Sequence, residues 1–164
     1  MRIRAIADAD VPAIQAIYAH HVATSLGTFE TEPPTVPEMR ARCTGIVQAG
    51  FPYLVGELDG RILGFAYANQ FRPRAAYRGT LEDSIYVAAD ATGRGVGKAL
   101  LGALIEQCIA LGMRQMLALI GDAKNDASIG VHRACGFSQV GVMTNVGRKL
   151  ERWVDVVIMQ RALA

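Results

Sequence analysis

The sequence predicts an α+β fold with a mixed, mostly antiparallel sheet flanked by helices. Three observations carry that expectation. Apolar residues alternate at period two in some stretches and recur at helical spacing in others, in the order βα, α, ββ, β–loop–α, βα, ββ. Asp59-Gly60 lies between two β-rich runs, which is a hairpin signal and makes those two strands antiparallel. A glycine-rich turn, Gly93 to Gly97, joins an apolar β-branched run to an apolar-striped helix in mid-chain.

Taken in order, Arg2 to Ile6 is a short first strand. Asp8 is placed to cap a helix whose stripe is Val11, Ile14, Ile17 and Val22. Thr24 to Thr35 is a polar loop ending in Pro33-Pro34, and Phe29 within it is either a core plug or one wall of a binding pocket. Pro37 suits the first turn of a second helix running to about Gln48, which Gly50-Phe51-Pro52 ends. Tyr53 to Glu57 and Ile62 to Asn69 are the hairpin strands. Gln70 to Thr80 is an arginine-rich loop, and Ser84 to Val87 is the strand it feeds. The helix after the glycine turn runs to about Leu111 and is capped by Gly112. Met116 to Ile120 is a buried strand. Asn125 starts a helix through Ala134 that Gly136-Phe137 ends. Val140 to Val146 and Trp153 to Met159 are the last strands.

The 164 residues suit one domain, 1–164, with a real core. Half the chain is hydrophobic and the net charge is +2, which argues against a nucleic-acid footprint. No apolar run approaches a membrane span and no signal-peptide core opens the chain, so a cytoplasmic protein is expected. Cys43, Cys108 and Cys135 are scattered and odd in number, which reads as reduced, mostly buried thiols. No His/Cys cluster has metal spacing, and His20-His21 stands without a partner motif, so no metal is expected.

The glycine turn carries the chemistry. A turn that opens a helix aims unpaired N–H groups outward, with the positive end of the helix dipole behind them, and so cradles an anion. Nucleotide-triphosphate loops need four residues between Gly and Gly-Lys, then Ser or Thr; here three separate Gly93 from Gly97-Lys98, and Ala99 follows. The dinucleotide fingerprint also fails, because Lys98, Ala99 and Leu100 follow Gly97. Read alone, the segment also fits an ordinary tight strand–helix connection.

Thr92-Gly93-Arg94-Gly95-Val96-Gly97 resembles the acyl-CoA loop of the GNAT acetyltransferases, Gln/Arg-x-x-Gly-x-Gly/Ala, with Thr92 where Gln or Arg is usual. Asn125, Ser128, His132, Gly136 and Phe137 resemble a second family pattern, with His132 in the usual tyrosine position. The resemblance implies a GNAT fold and acetyl-CoA as co-substrate. It implies cofactor contacts from Ile85, Tyr86, Val87, Gly93, Arg94, Gly95, Val96, Gly97, Lys98 and Asn125, with His132 near the cofactor sulfur.

A narrower resemblance covers nearly the whole chain. Thr28-Phe29-Glu30, Phe71-Arg72-Pro73, Arg78-Gly79-Thr80, Glu82, Ser84 to Val87, Ser128 to His132 and Arg152-Trp153-x-Asp155 are together similar to the phosphinothricin and methionine sulfone (sulfoximine) N-acetyltransferases. Near the end Glu151 stands where that group has Gly. The resemblance implies acetyl transfer to the α-amino group of a small L-amino acid or analogue, and a homodimer. It implies a substrate site built from Phe29, Arg72, Pro73, Arg74, Tyr77, Arg78, Thr80, Glu82, Asp83, Ser84 and Trp153.

An ammonium must lose a proton before its nitrogen attacks a thioester, and Glu82 is the expected base, with Asp83 competing. A backbone N–H near Val87 would polarise the carbonyl, and His132 would act as acid or as a second base. Direct attack in a ternary complex needs no acyl-enzyme. The alternatives are a protein or other-amine acetyltransferase, and a non-catalytic acyl-CoA-binding sensor.

Overall fold

The computed structural model describes residues 1–164. Its elements are β1 (Arg2–Ala5), α1 (Val11–Thr24), α2 (Val36–Gln48), β2 (Tyr53–Leu58), β3 (Arg61–Gln70), β4 (Thr80–Val87), α3 (Val96–Ala110), β5 (Gln115–Gly121), α4 (Asp126–Ala134), β6 (Ser138–Lys149) and β7 (Arg152–Ala162). All seven strands join one sheet in the order β1-β2-β3-β4-β5-β7-β6. Every neighbouring pair is antiparallel except β4 and β5. Those two are parallel because α3 carries the chain back across the sheet between them.

That parallel pairing is short. It covers Thr80↔Gln115, Leu81↔Met116 and Glu82↔Leu117 and then stops. Beyond Glu82, β4 stays on β3 as far as Val87↔Gly64, while β5 stays on β7 as far as Gly121↔Val156. The sheet therefore splits down its middle.

The helices cover both faces. Tyr18 of α1 meets Tyr86 of β4 edge to face at 5.0 Å, in a cluster with Phe65, Tyr53 and Tyr67. On the other face, Leu100 of α3 packs where Gly56 and Gly64 leave room, and a Cβ at Gly64 would strike the Tyr86 carbonyl oxygen at 2.7 Å. Val96, Leu100, Leu101, Leu104, Ile105 and Cys108 are all buried, which is why α3 reads as apolar nearly all round. Each fully buried leucine contributes about 1.5–3 kcal/mol of transfer free energy.

The helix starts differ from expectation at one place. Asp8 caps nothing; it pairs with Arg40 at 2.6 Å on the surface. Asp10 is the residue that organises this entry. It accepts from the Ala7 N–H at 2.8 Å and takes two bonds from Arg4, at 2.7 and 2.8 Å, and Arg4 also reaches Glu57 at 2.6 Å. The Arg4 guanidinium holds the Asp10 carboxyl below the usual carboxylate range. At α2, Thr35 and Glu38 form a reciprocal capping box, and Pro37 lies in the first turn as expected.

Strand limits also differ. β4 begins at Thr80 rather than Ser84, β6 spans Ser138–Lys149 and β7 spans Arg152–Ala162. The β2–β3 hairpin turns at Asp59-Gly60, with φ of 51° and 77°. The β6–β7 hairpin turns at Leu150-Glu151, with φ of 48° and 60°, so two non-glycine residues occupy the left-handed region.

Candidate active site

The split between β4 and β5 opens a cleft of about 820 Å³. Its walls are β4 from Glu82 to Val87, the end of β5, the C-terminal end of α1, and the faces of α3 and α4 nearest the split. The backbone of β4 is alternately committed. Ala88 N donates to Leu63 O at 2.8 Å and Phe71 N to Thr80 O at 3.0 Å, so the even-numbered residues of β4 aim their polar groups at β3. Asp83, Ile85 and Val87 aim theirs into the split. The N–H groups of Ile85 and Val87 are thus available to a ligand carbonyl.

At one end of the cleft lies the glycine turn. Gly93 and Gly95 have φ of 71° and 79°, and nothing lies within 4 Å of where their Cβ atoms would be. The first bond of α3 is Ala99 N to Gly95 O at 3.0 Å. The six N–H groups from Gly93 to Lys98 find no acceptor in the protein. Thr92 bonds locally to the Ala89 carbonyl oxygen at 3.0 Å. Arg94 and Lys98 are exposed beside the turn; Lys98 lines the cleft and Arg94 does not. Six free amides at a helix start, open space beside them and two adjacent cations fit a diphosphate group.

Alternation along β4 puts the two acidic side chains on opposite faces. Glu82 shares its face with Ser84 and Tyr86, toward α1 and α2. Asp83 shares its face with Leu81, toward α3 and α4, where His132 Nε2 lies 3.1 Å from Asp83 Oδ1. Burial raises the Glu82 carboxyl above the usual carboxylate range; Arg72 opposes that shift and Asp83 adds to it. Burial likewise raises Asp83; at His132 burial pulls the ring down, but the Asp83 carboxylate and the Ser128 carbonyl together outweigh it and the ring is raised. Asn125 is the α4 cap: its Oδ1 accepts from Ser128 N at 3.1 Å, and its Nδ2 donates to Gly121 O at 3.4 Å.

The expected cofactor residues other than Arg94 all line the cleft, as do Glu82, Asp83, Ser84 and His132. The expected substrate residues divide. Arg72, Pro73, Arg74, Tyr77 and Arg78 are exposed on the loop before β4, and Thr80 is half-buried at the start of the strand; none lines the cleft. Arg72 stacks over Phe71 at 4.5 Å. Trp153 is 65% exposed on β7. The Phe29 ring lies against Gly147, where a Cβ would come within 2.2 Å of it. Its loop is pinned by the buried Lys149, whose Nζ donates to Thr28 O at 2.7 Å, and by Tyr18, which meets Thr28 and Glu30.

His20 and His21 line the cleft too. His21 Nε2 donates to the Val87 carbonyl oxygen at 2.8 Å, and burial holds the ring below the usual histidine value. Nothing in spacing marks this contact, because residues 21 and 87 meet only through the tertiary fold. The α1 end does carry a legible sign, a histidine pair in the last turn before a polar loop.

A family model for the acetyltransferase (GNAT) family matches residues 14–137. A phosphinothricin N-acetyltransferase of Alcaligenes faecalis is 56% identical over 98% of this chain and 82% of its own. An L-methionine sulfoximine/L-methionine sulfone acetyltransferase of Pseudomonas aeruginosa is 40% identical over 96% of this chain and 92% of its own. The crystal structure of a phosphinothricin acetyltransferase of Sinorhizobium meliloti in complex with AcCoA superposes with a TM-score of 0.97, at 44% identity, over 99% of this chain and 88% of that one. The chain belongs to the GNAT acetyltransferase family.

Proposed function

We propose that this protein transfers an acetyl group from acetyl-CoA to the α-amino group of a small L-amino acid analogue: phosphinothricin, methionine sulfone or methionine sulfoximine. The observation that carries it is the split sheet, with a six-amide cradle at one end and a raised, half-buried Glu82 on one wall. The names of the relatives at 56% and 40% identity supply the substrate class.

Bound acetyl-CoA supplies an activated acetyl thioester. The amides from Gly93 to Lys98, with Arg94 and Lys98, hold its diphosphate. Ile85 and Val87, which line the cleft, would flank it, and the N–H of either would polarise its carbonyl. Glu82 takes a proton from the substrate ammonium, directly or through water, and burial makes it a stronger base than an exposed carboxylate. Arg72, exposed on the loop before β4, is the arginine whose charge acts on Glu82, and it is the fork we assign to the substrate's carboxylate.

The exposed apolar side chains of β6 and β7 support a homodimer. Val140, Val142, Met143, Val146, Leu150 and Trp153 are all at least 36% exposed on one hairpin, and such patches mark association surfaces. A second copy there would bring cover to Trp153 and to the Phe29 loop beside Gly147. Three unpaired cysteines accord with a reducing, cytoplasmic setting. No helix is long and apolar enough to cross a membrane. The test is an amine panel with acetyl-CoA and thiol-release detection. Release stimulated by methionine sulfone or phosphinothricin is expected; release with no amine in the panel would reject the assignment.

A further inference from the structure

The split leaves the far end of β4 without a strand beside it. β5 pairs with β4 only as far as Glu82↔Leu117, and beyond that point Val87 still turns its N–H and carbonyl toward the missing strand. A carbonyl so placed needs a donor from elsewhere. For Val87 the donor is a side chain. His21 Nε2 lies 2.8 Å from the Val87 carbonyl oxygen and reaches it from the last turn of α1. That oxygen can only accept, so Nε2 carries a proton. Burial holds the ring below the usual histidine value, against the Val87 carbonyl and helped by His20 and Lys149. The ring is therefore neutral near pH 7, and its Nδ1 is bare.

The Val87 carbonyl shares one planar peptide unit with the Ala88 N–H. That N–H donates to Leu63 O at 2.8 Å, so the unit is held at both ends, by α1 on one side and β3 on the other. The residue before is fixed as well, because Tyr86 pairs with Phe65 of β3. Val87 is thus bracketed, and its own N–H stays turned into the cleft. His21 has little freedom either. Its ring meets the Tyr86 ring at 5.4 Å, Tyr86 meets Tyr18 edge to face at 5.0 Å, and Ser25 N bonds His21 O at 2.9 Å.

We propose that His21 is a positioning residue: it stands in for the absent β5 donor, clamps the Val87–Ala88 peptide, and keeps the Val87 N–H aimed at the thioester carbonyl. The inference rests on the acetyltransferase reading above, and it selects Val87 over Ile85 as the polarising donor. His21 moves no proton. Its part is to hold one donor still while negative charge builds on the carbonyl oxygen, where a preoriented donor acts most strongly. Without the clamp the peptide can rotate about Val87 and carry that donor off line.

Nitrogen NMR of the unliganded wild-type protein tests the clamp without turnover. At neutral pH His21 should show a protonated Nε2 and a bare Nδ1. A bare Nε2 would overturn the proposal whatever the variants do. His21→Gln keeps an N–H donor at about the reach of Nε2, and His21→Met has similar length and no donor. In His21→Met kcat should fall on the order of 10²-fold, the usual scale for a misplaced group, with CoA affinity by calorimetry unchanged because the glycine turn still holds the diphosphate. In His21→Gln most of that rate should return, and the Val87 carbonyl-carbon shift should stay near its wild-type position. Equal kcat in the two folded variants would contradict the clamp, and so would a loss in His21→Met that lies wholly in CoA affinity. The His21→Gln arm also stands alone: loss of its rate or of its carbonyl shift in a folded protein contradicts the proposal. A protonated Nε2 in a protein that acetylates no amine would instead reject the function and leave the clamp standing.

Discussion

At the scale of single residues the proposed chemistry rests on Glu82 as the base. Glu82→Gln keeps its shape and removes its basicity, so kcat should drop roughly 10²–10⁴-fold with little change in affinity for CoA. A wild-type rate in that variant, measured by thiol release, would move the base elsewhere. The sign of the pH effect follows from the site. As the proposed base Glu82 must be deprotonated, and burial raises its pKa, so kcat/KM should fall as pH drops through a value above the ordinary carboxylate range. Arg72 opposes that rise. Arg72→Ala should therefore shift the acidic limb to higher pH, and an unmoved limb would show that the Arg72 charge does not act on Glu82. The residue types were legible in the sequence: Glu82 and Asp83 stand out as adjacent carboxylates beside the glycine turn. Their separation onto opposite faces was legible only once β4 was known to start at Thr80. The pairing of Asp83 with His132 was not, because it joins β4 to α4 across the fold.

Elements whose turns obey local chemistry were easy to read. Asp59-Gly60 and Gly93 to Gly97 announce themselves because those backbones need positive φ and glycine meets that need without strain. Gly95→Ala should cost about 1–2 kcal/mol of stability, the usual left-handed penalty, and should abolish CoA binding in calorimetry by filling the cradle. Retained affinity in a folded Gly95→Ala protein would separate the turn from the cofactor. The β6–β7 hairpin was harder to bound because its turn residues, Leu150 and Glu151, hide it. Glu151→Gly should relieve left-handed strain and raise stability by about 1 kcal/mol, which is about 2–4 °C in Tm for a chain of this size. An unchanged or lower Tm would place the strain elsewhere. The capping box at Thr35 and Glu38 has a sequence sign of its own, a Thr three residues before a Glu; the nearby Pro37 is the louder one.

The whole molecule turns on one event, the stop in β4–β5 pairing after Glu82. Patterning gave the mixed sheet and its helices, since each strand and helix carries its own periodicity. The split itself leaves no periodic trace, and the glycine turn was its one sequence marker. The arginine-rich loop, exposed outside the cleft, and the apolar β6–β7 hairpin both leave surface that a second copy could cover. Trp153→Glu should weaken the proposed dimer, seen as a shift toward monomer in sedimentation. A wild-type chain already monomeric at working concentration would remove the dimer. The most direct measurement of the central claim is mass spectrometry of L-methionine sulfone and of phosphinothricin incubated with the purified protein and acetyl-CoA. The expected result is one acetyl group on the α-nitrogen of each, formed in step with free CoA and lost on Glu82→Gln. Intact amino acids after incubation, beside acetyl-CoA consumed no faster than in buffer, would contradict it.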